Sequence, residues 1–169
     1  VNCPSGITAF DSFVQMAPLL TSRGLPEVVE HFRLLADETE EKIKKSEFPV
    51  PNEQYRLLWD SIAPWHQLRK MSTRLAGLDA NIIAASYTSC VGSIEGSYEF
   101  LQEYRDEDPI ESLARIQNFS VCPYGMKLRF NAMSWAAQHY GIDGFVFASN
   151  RSCKVYSVMQ MDLQKWITE

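Results

Sequence analysis

This chain predicts an α/β fold, a parallel sheet with crossover helices, on three observations. Beyond residue 51 short apolar runs alternate with helical patterns, the arrangement that parallel strands joined by crossover helices require. Phe145–Ala148 is an unbroken apolar run opened by Gly144, the pattern of a strand covered on both faces. Phe48-Pro-Val-Pro-Asn52 places two prolines within three residues, so residues 1–50 read as a helical segment and residues 51–169 as the α/β domain.

Thr8–Leu20 is an apolar helix with Pro18 near its end, and Ser22-Arg-Gly-Leu-Pro26 breaks it. Pro26 suits the first turn of the next helix, because its missing N–H is unpaired there in any case. In that helix Val28, Val29, Phe32, Leu35, Ala36, Thr39 and Ile43 recur at helical spacing. Glu27, Glu30, Asp37, Glu38, Glu40 and Glu41 fill the other face, which predicts an amphipathic helix packed on a neighbour. His31 lies beside a glutamate, a surface position and not a metal ligand. Lys42, Lys44 and Lys45 end the helix, where its dipole favours cations.

After the boundary come a strand at Tyr55–Trp59, a helix at His66–Leu75 and a strand at Ile82–Ser86. Helices at Pro109–Asn118 and Met126–Tyr140, a strand at Phe145–Ala148 and a helix at Val155–Thr168 complete the series. Met126, Phe130, Met133, Ala137 and Tyr140 form a stripe expected to face the core. Gly141-Ile-Asp-Gly144 supplies the helix stop and the turn into the last strand. The expected fold is Rossmann-like.

The 169 residues are 46% hydrophobic and 22% charged, enough for one packed domain. A net charge of −5 without a dense Lys/Arg block predicts no nucleic-acid partner. No apolar run approaches the roughly 20 residues that span a bilayer, and no leader pattern opens the chain, so a soluble cytoplasmic protein without a membrane partner is expected. Gly92-Ser-Ile-Glu-Gly96 lacks the Gly-Lys-Ser/Thr ending of a phosphate loop. The acidic run Glu103, Asp106, Glu107 and Asp108 reads as a solvated turn. The cysteines at 3, 90, 122 and 153 are too scattered for a closed zinc site or a disulfide framework.

Cys153 is the candidate functional thiol. The strand at 145–148 runs into the polar loop Ser149-Asn-Arg-Ser-Cys-Lys154, placing Cys153 at the carboxyl end of a strand and near a helix N-terminus, a setting that favours the metal-binding thiolate. Ligands of open α/β sheets gather outside the carboxyl ends of the strands. Three loops are expected there: Trp59-Asp60-Ser61, Ser86-Tyr87-Thr88 and Ser149–Lys154. Trp59 and Trp65 also suit packing at the sheet edge, Asp60 suits a cap on the following turn, and His66 suits either the crevice or the start of its helix. Cys3, Cys90 and Cys122 are expected to be buried or incidental thiols.

The string Asn150-Arg151-Ser152-Cys153-Lys154, after an apolar strand and ahead of Tyr156, Ser157 and Gln160, resembles the C-terminal cluster-binding segment of the 2-hydroxyacyl-CoA dehydratase and benzoyl-CoA reductase family. Glu53–Trp65 and Ile82–Thr88 are similar to two preceding segments of that family, in the same order. The resemblance implies a 4Fe-4S cluster with Cys153 as one of three cysteine ligands, the other two lying in a preceding domain outside this chain. It places Asn150, Arg151, Ser152, Lys154, Tyr87 and Trp59 around the cofactor, with Arg151 and Lys154 offsetting negative charge on the cluster or attracting an anionic thioester.

The implied partners are a second large subunit, an ATP-dependent activator with its own cluster, and an acyl-CoA substrate. The implied chemistry is low-potential electron transfer that dehydrates a hydroxyacyl thioester or reduces an aromatic ring. Val1 resembles the start of the linker after the cluster domain, and relatives continue beyond Glu169, so a fragment or truncated product is expected. A catalytically silent α/β subunit and a double-cluster reductase of small molecules are the alternative readings.

Overall fold

The computed structural model describes residues 3–88, 108–118 and 125–169. Cys90, Cys122, the glycine pair at 92 and 96 and most of the acidic run lie outside the described residues. The described elements are α1 (Ala9–Thr21), α2 (Pro26–Lys44), β1 (Tyr55–Asp60), a 3₁₀ turn (Trp65–Gln67), α3 (Leu68–Ala76), β2 (Ala80–Ala85), α4 (Pro109–Asn118), α5 (Met126–Tyr140), β3 (Gly144–Phe147), α6 (Lys154–Ser157) and α7 (Gln160–Thr168). The three strands are parallel, in the order β2-β1-β3. This is the α/β fold that the alternation of apolar runs predicts.

Helices cover both faces of the sheet, and the period of two along β1 divides its side chains between them. Trp59 joins Phe10, Phe13 and Met16 of α1, with Ile82 and Ala85 of β2, in one cluster. Leu58 points the other way, onto Ala132, Met133 and Ala136 of α5. Along β3, Val146 packs on the first cluster while Phe145 and Phe147 pack on the second. In β2 the alternation slips, since Leu57 pairs with Ile82 and Leu58 with Ala84. This irregularity leaves Ile83 without a partner in β1 and lets Ile82 and Ala85, three apart, serve one face.

The helix boundaries have local causes. Thr8 caps α1 in a capping box: its hydroxyl accepts from the Asp11 N–H at 3.2 Å, and the Asp11 carboxylate accepts from the Thr8 N–H at 3.0 Å. Pro26 occupies the first turn of α2. Asp108 accepts from the N–H groups of Ile110 and Glu111 and so caps α4. Gly141 ends α5 in the left-handed conformation at φ 63°, which glycine adopts without strain.

Four expectations need correction. Phe145–Ala148 has apolar cover on both faces but is only half-buried, because among the described strands β3 is an edge strand with a neighbour on one side. Val155–Thr168 is two helices, α6 and α7, interrupted at Val158 and Met159. The core face of α5 is Arg129, Ala132, Met133 and Ala136; it shares Met133 with the expected stripe, whose Met126, Phe130, Ala137 and Tyr140 are half-buried. Apolar residues lie around most of this helix, so periodicity does not single out the inner face. In α2, Val28, Phe32, Leu35, Thr39 and Ile43 are half-buried, but Val29 and Ala36 are exposed, because one narrow stripe suffices to lean on α1.

The charged groups of α2 are on the surface, as its pattern predicts. Lys42 lies 2.6 Å from Glu38, Lys44 3.5 Å from Glu40 and Lys45 2.6 Å from Glu41, and His31 Nε2 is 2.7 Å from the Gln15 side-chain oxygen. Among the described residues no helix is long and apolar enough to cross a membrane.

Candidate functional site

The order β2-β1-β3 makes the chain leave β1 toward one edge and return on the other side at β3. The connections after β1 and β3 therefore part at the carboxyl ends of these strands, where open α/β sheets form ligand crevices. A cavity of about 430 Å³ occupies this point. Trp59, Ser61, Trp65 and His66 line it from the β1 side, and Ser149, Asn150 and Arg151 from the β3 side.

Ser61 is the strained member. It is fully buried at φ 147°, a region that a residue with a side chain occupies at a cost of about 1–3 kcal/mol. Among the described residues its buried hydroxyl has no hydrogen-bond partner, a second local cost. Strain and an unsatisfied polar group thus meet on the crevice wall, the combination found where backbone serves a site.

Trp59 is a wall as well as a core residue. Its ring meets Phe10 edge-on at 6.4 Å, and its indole N–H donates to the Ile62 carbonyl at 3.2 Å, bending the chain after β1 back over the strand. Trp65 is 52% exposed and leans on Phe13 and Tyr87. His66 is exposed and borders the crevice, and it belongs to the 3₁₀ turn ahead of α3, so both of its expected placements hold. Tyr87 is not among the described lining residues; its ring meets that of Trp65, which is one, at 6.3 Å.

At the carboxyl end of β1, between the lining residues Trp59 and Ser61 in sequence, lies a buried ion pair that the residue pattern does not reveal. Asp60, the last residue of β1, is an ion-pair partner and does not cap the following turn. Arg129 Nη2 donates to its two carboxylate oxygens at 2.7 and 2.6 Å, and Nε donates to Oδ1 at 3.2 Å. The Ser86 hydroxyl donates to the same carboxylate at 2.7 Å, tying in the end of β2. Arg129 Nη1 donates to the Val155 carbonyl at 3.0 Å, and the guanidinium lies 4.6 Å from the centre of the Tyr156 ring. One buried cation therefore joins the ends of β1 and β2 to the residues directly after Cys153. A buried carboxylate at a strand end requires such a partner, but the burial of Asp60 is visible only in the fold.

Cys153 is a free, half-buried thiol immediately ahead of α6. Its N–H donates to the Asn150 carbonyl at 3.1 Å. The Asn150 side-chain oxygen accepts from the N–H and hydroxyl of Ser152 at 3.0 and 2.7 Å, so Asn150 shapes the turn that presents the thiol. On the far side the Cys153 carbonyl accepts from the Ser157 N–H and hydroxyl. Arg151, Ser152 and Lys154 are exposed around it.

Cys153 is a free, partly accessible thiol on a hydrogen-bonded turn two residues beyond Arg151, a lining residue of the crevice, with Arg151 and Lys154 near it in sequence; such a thiol is chemically able to ligate a metal. Among the described residues no group of three His, Cys, Asp or Glu could hold a metal ion, and Cys3 is exposed.

A family profile described as "2-hydroxyglutaryl-CoA dehydratase, D-component" matches residues 2–169. The (R)-phenyllactyl-CoA dehydratase alpha subunit of Clostridium sporogenes is 31% identical over 96% of this chain and 37% of its own length. The alpha subunit of (R)-2-hydroxyglutaryl-CoA dehydratase from Acidaminococcus fermentans is 28% identical over 98% of this chain and 32% of its own. A benzoyl-CoA reductase subunit of Thauera aromatica is 27% identical over 98% of this chain and 39% of its own. The chain thus spans about a third to two-fifths of the length of these relatives. No solved structure matches it.

Proposed function

The chain belongs to the 2-hydroxyglutaryl-CoA dehydratase D-component family, and from this premise we propose that it forms part of a large subunit of an iron-sulfur enzyme that dehydrates or reduces acyl-CoA thioesters by low-potential electron transfer. The observation that supports the reading is the position of Cys153, a free thiol on a shaped turn whose preceding residues Ser149, Asn150 and Arg151 line the crevice at the β1/β3 switch point. Cys153 would hold one iron of a 4Fe-4S cluster completed by cysteines outside this chain. When bound, the cluster supplies the one-electron chemistry that the thioester reaction needs. Arg151 and Lys154 would moderate its charge, Asn150 and Ser152 would keep the turn in shape, and Trp59 and Tyr87 would limit water on the β1 side.

In this reading the domain from residue 51 presents the thiol, and the helical segment 1–50 joins it to the part that carries the remaining ligands. The partners would be a second large subunit and an ATP-dependent activator. The test is anaerobic purification with and without the polypeptide bearing the missing cysteines, followed by iron and sulfide counting and an absorption spectrum. A brown assembly that loses iron on Cys153→Ser supports the proposal. An assembly that stays colourless favours a second reading, a catalytically silent α/β module, which the single described ligand also suits.

A further inference from the structure

The face of the 3₁₀ turn and α3 next to the crevice carries positive charge that no described carboxylate balances. Between Asp60 and Asp79 the sequence contains no Asp or Glu, although the whole chain has a net charge of −5. Arg69, Lys70 and Arg74 all fall in this interval, and among the described residues none of them is in an ion pair. The lysines that end α2 behave differently, each held by a glutamate four residues earlier. A cavity of about 730 Å³ borders the face; Trp65, His66, Arg69, Lys70, Thr73 and Arg74 are among its described lining residues. That volume falls within the roughly 300–1,000 Å³ usual for small-molecule sites.

Trp65 and His66 line both this cavity and the 430 Å³ crevice, so the two adjoin at these residues. Trp65 is braced against Phe13 at 6.4 Å and Tyr87 at 6.3 Å, with 52% of its surface open. An open indole beside unpaired guanidinium groups and a hydroxyl suits one chemical class well, an aromatic base carrying several phosphates. Three cations on adjacent helical turns exceed what one carboxylate would need, and the indole would add nothing to a simple anion.

We propose that this face binds the adenosine 3′,5′-bisphosphate end of a CoA thioester, with Trp65 against the adenine and Arg69, Lys70 and Arg74 on the phosphates, so that the acyl end runs through the crevice toward Cys153. The inference rests on the acyl-CoA reading above and deepens it. It assigns the nucleotide grip to residues that require no iron.

The test is calorimetric titration of the full chain with adenosine 3′,5′-bisphosphate, alongside tryptophan fluorescence. Binding should weaken about ten-fold or more in Arg69→Gln/Arg74→Gln and about three-fold or more in Trp65→Leu, with far-ultraviolet dichroism unchanged. It should also weaken as salt rises, and inorganic phosphate should compete poorly. A parent chain that does not bind the nucleotide, variants that bind as well as the parent, or inorganic phosphate competing as effectively as the nucleotide would each overturn the proposal. An assembly that keeps its Cys153-dependent iron without nucleotide binding defeats this inference alone. Nucleotide binding in an assembly whose iron is indifferent to Cys153→Ser defeats the cluster reading alone.

Discussion

Asp60 and Arg129, 69 residues apart in the chain, form a sealed ion pair at the carboxyl end of β1, with side-chain exposures of 0% and 1%. The pair couples the sheet to the turn of Cys153, because the same guanidinium holds the Val155 carbonyl and faces Tyr156. Removing one member leaves the other buried and uncompensated.

Arg129→Gln should destabilise the fold by about 3–5 kcal/mol, measured by urea unfolding. Asp60→Asn should cost a similar amount, and the double variant clearly less than the sum of the two, as a coupled pair requires. Since Val155 loses its anchor, Cys153 in Arg129→Lys should react faster with a thiol reagent under native conditions. An unchanged rate would show that the pair does not position the turn.

Ser61 offers a test in the opposite direction. Ser61→Gly relieves backbone strain of about 1–3 kcal/mol and removes an unpartnered hydroxyl, against a glycine entropy cost of at most about 1 kcal/mol. The variant should therefore gain about 1 kcal/mol, whereas Ser61→Ala, which keeps the strained φ, should gain less. Thermal melts that rank alanine above glycine would mean that the backbone at this position is relaxed.

The sheet's central strand carries the second core. Leu58 is 0% exposed against Ala132, Met133 and Ala136, and Leu58→Ala should cost about 2–5 kcal/mol through the cavity it leaves. A loss below about 1 kcal/mol in chemical denaturation would indicate that α5 collapses onto the strand.

Tyr140 provides the pH dependence. Burial holds its phenol above the usual tyrosine value of 10.0. The unfolded chain therefore ionises first as pH rises, so this stabilising contribution is complete below pH ~10 and is lost as pH climbs through the raised value. Tyr140→Phe should flatten the decline in stability above pH ~10. Parallel curves for the two proteins would refute the assignment.

The helix, strand and turn assignments were largely legible because each rests on neighbours in sequence: Pro26 at a helix start, Gly141 at a helix end, an apolar run for each strand. The candidate site was legible in part. Asn150 to Lys154 stood out as a polar loop after a strand, and the carboxyl-end crevice follows from parallel topology. Arg129 did not stand out, since an arginine among apolar helix residues looks like an interruption of the core face and becomes its centre only when a carboxylate 69 residues away points at it.

The amino-acid sequence by itself determined the local grammar of this protein: which segments coil, which extend, where the chain turns, and that one cysteine would be offered from a loop behind the last strand. Tertiary structure alone decided which residues of α5 turn fully inward, that β3 lies at an edge of the described sheet, and that Asp60 is neutralised by a distant cation instead of capping its own turn. The division is physical. Backbone propensities act over a few residues and are written in them, whereas desolvation and charge pairing depend on what the fold places within a few ångströms, whatever the separation along the chain.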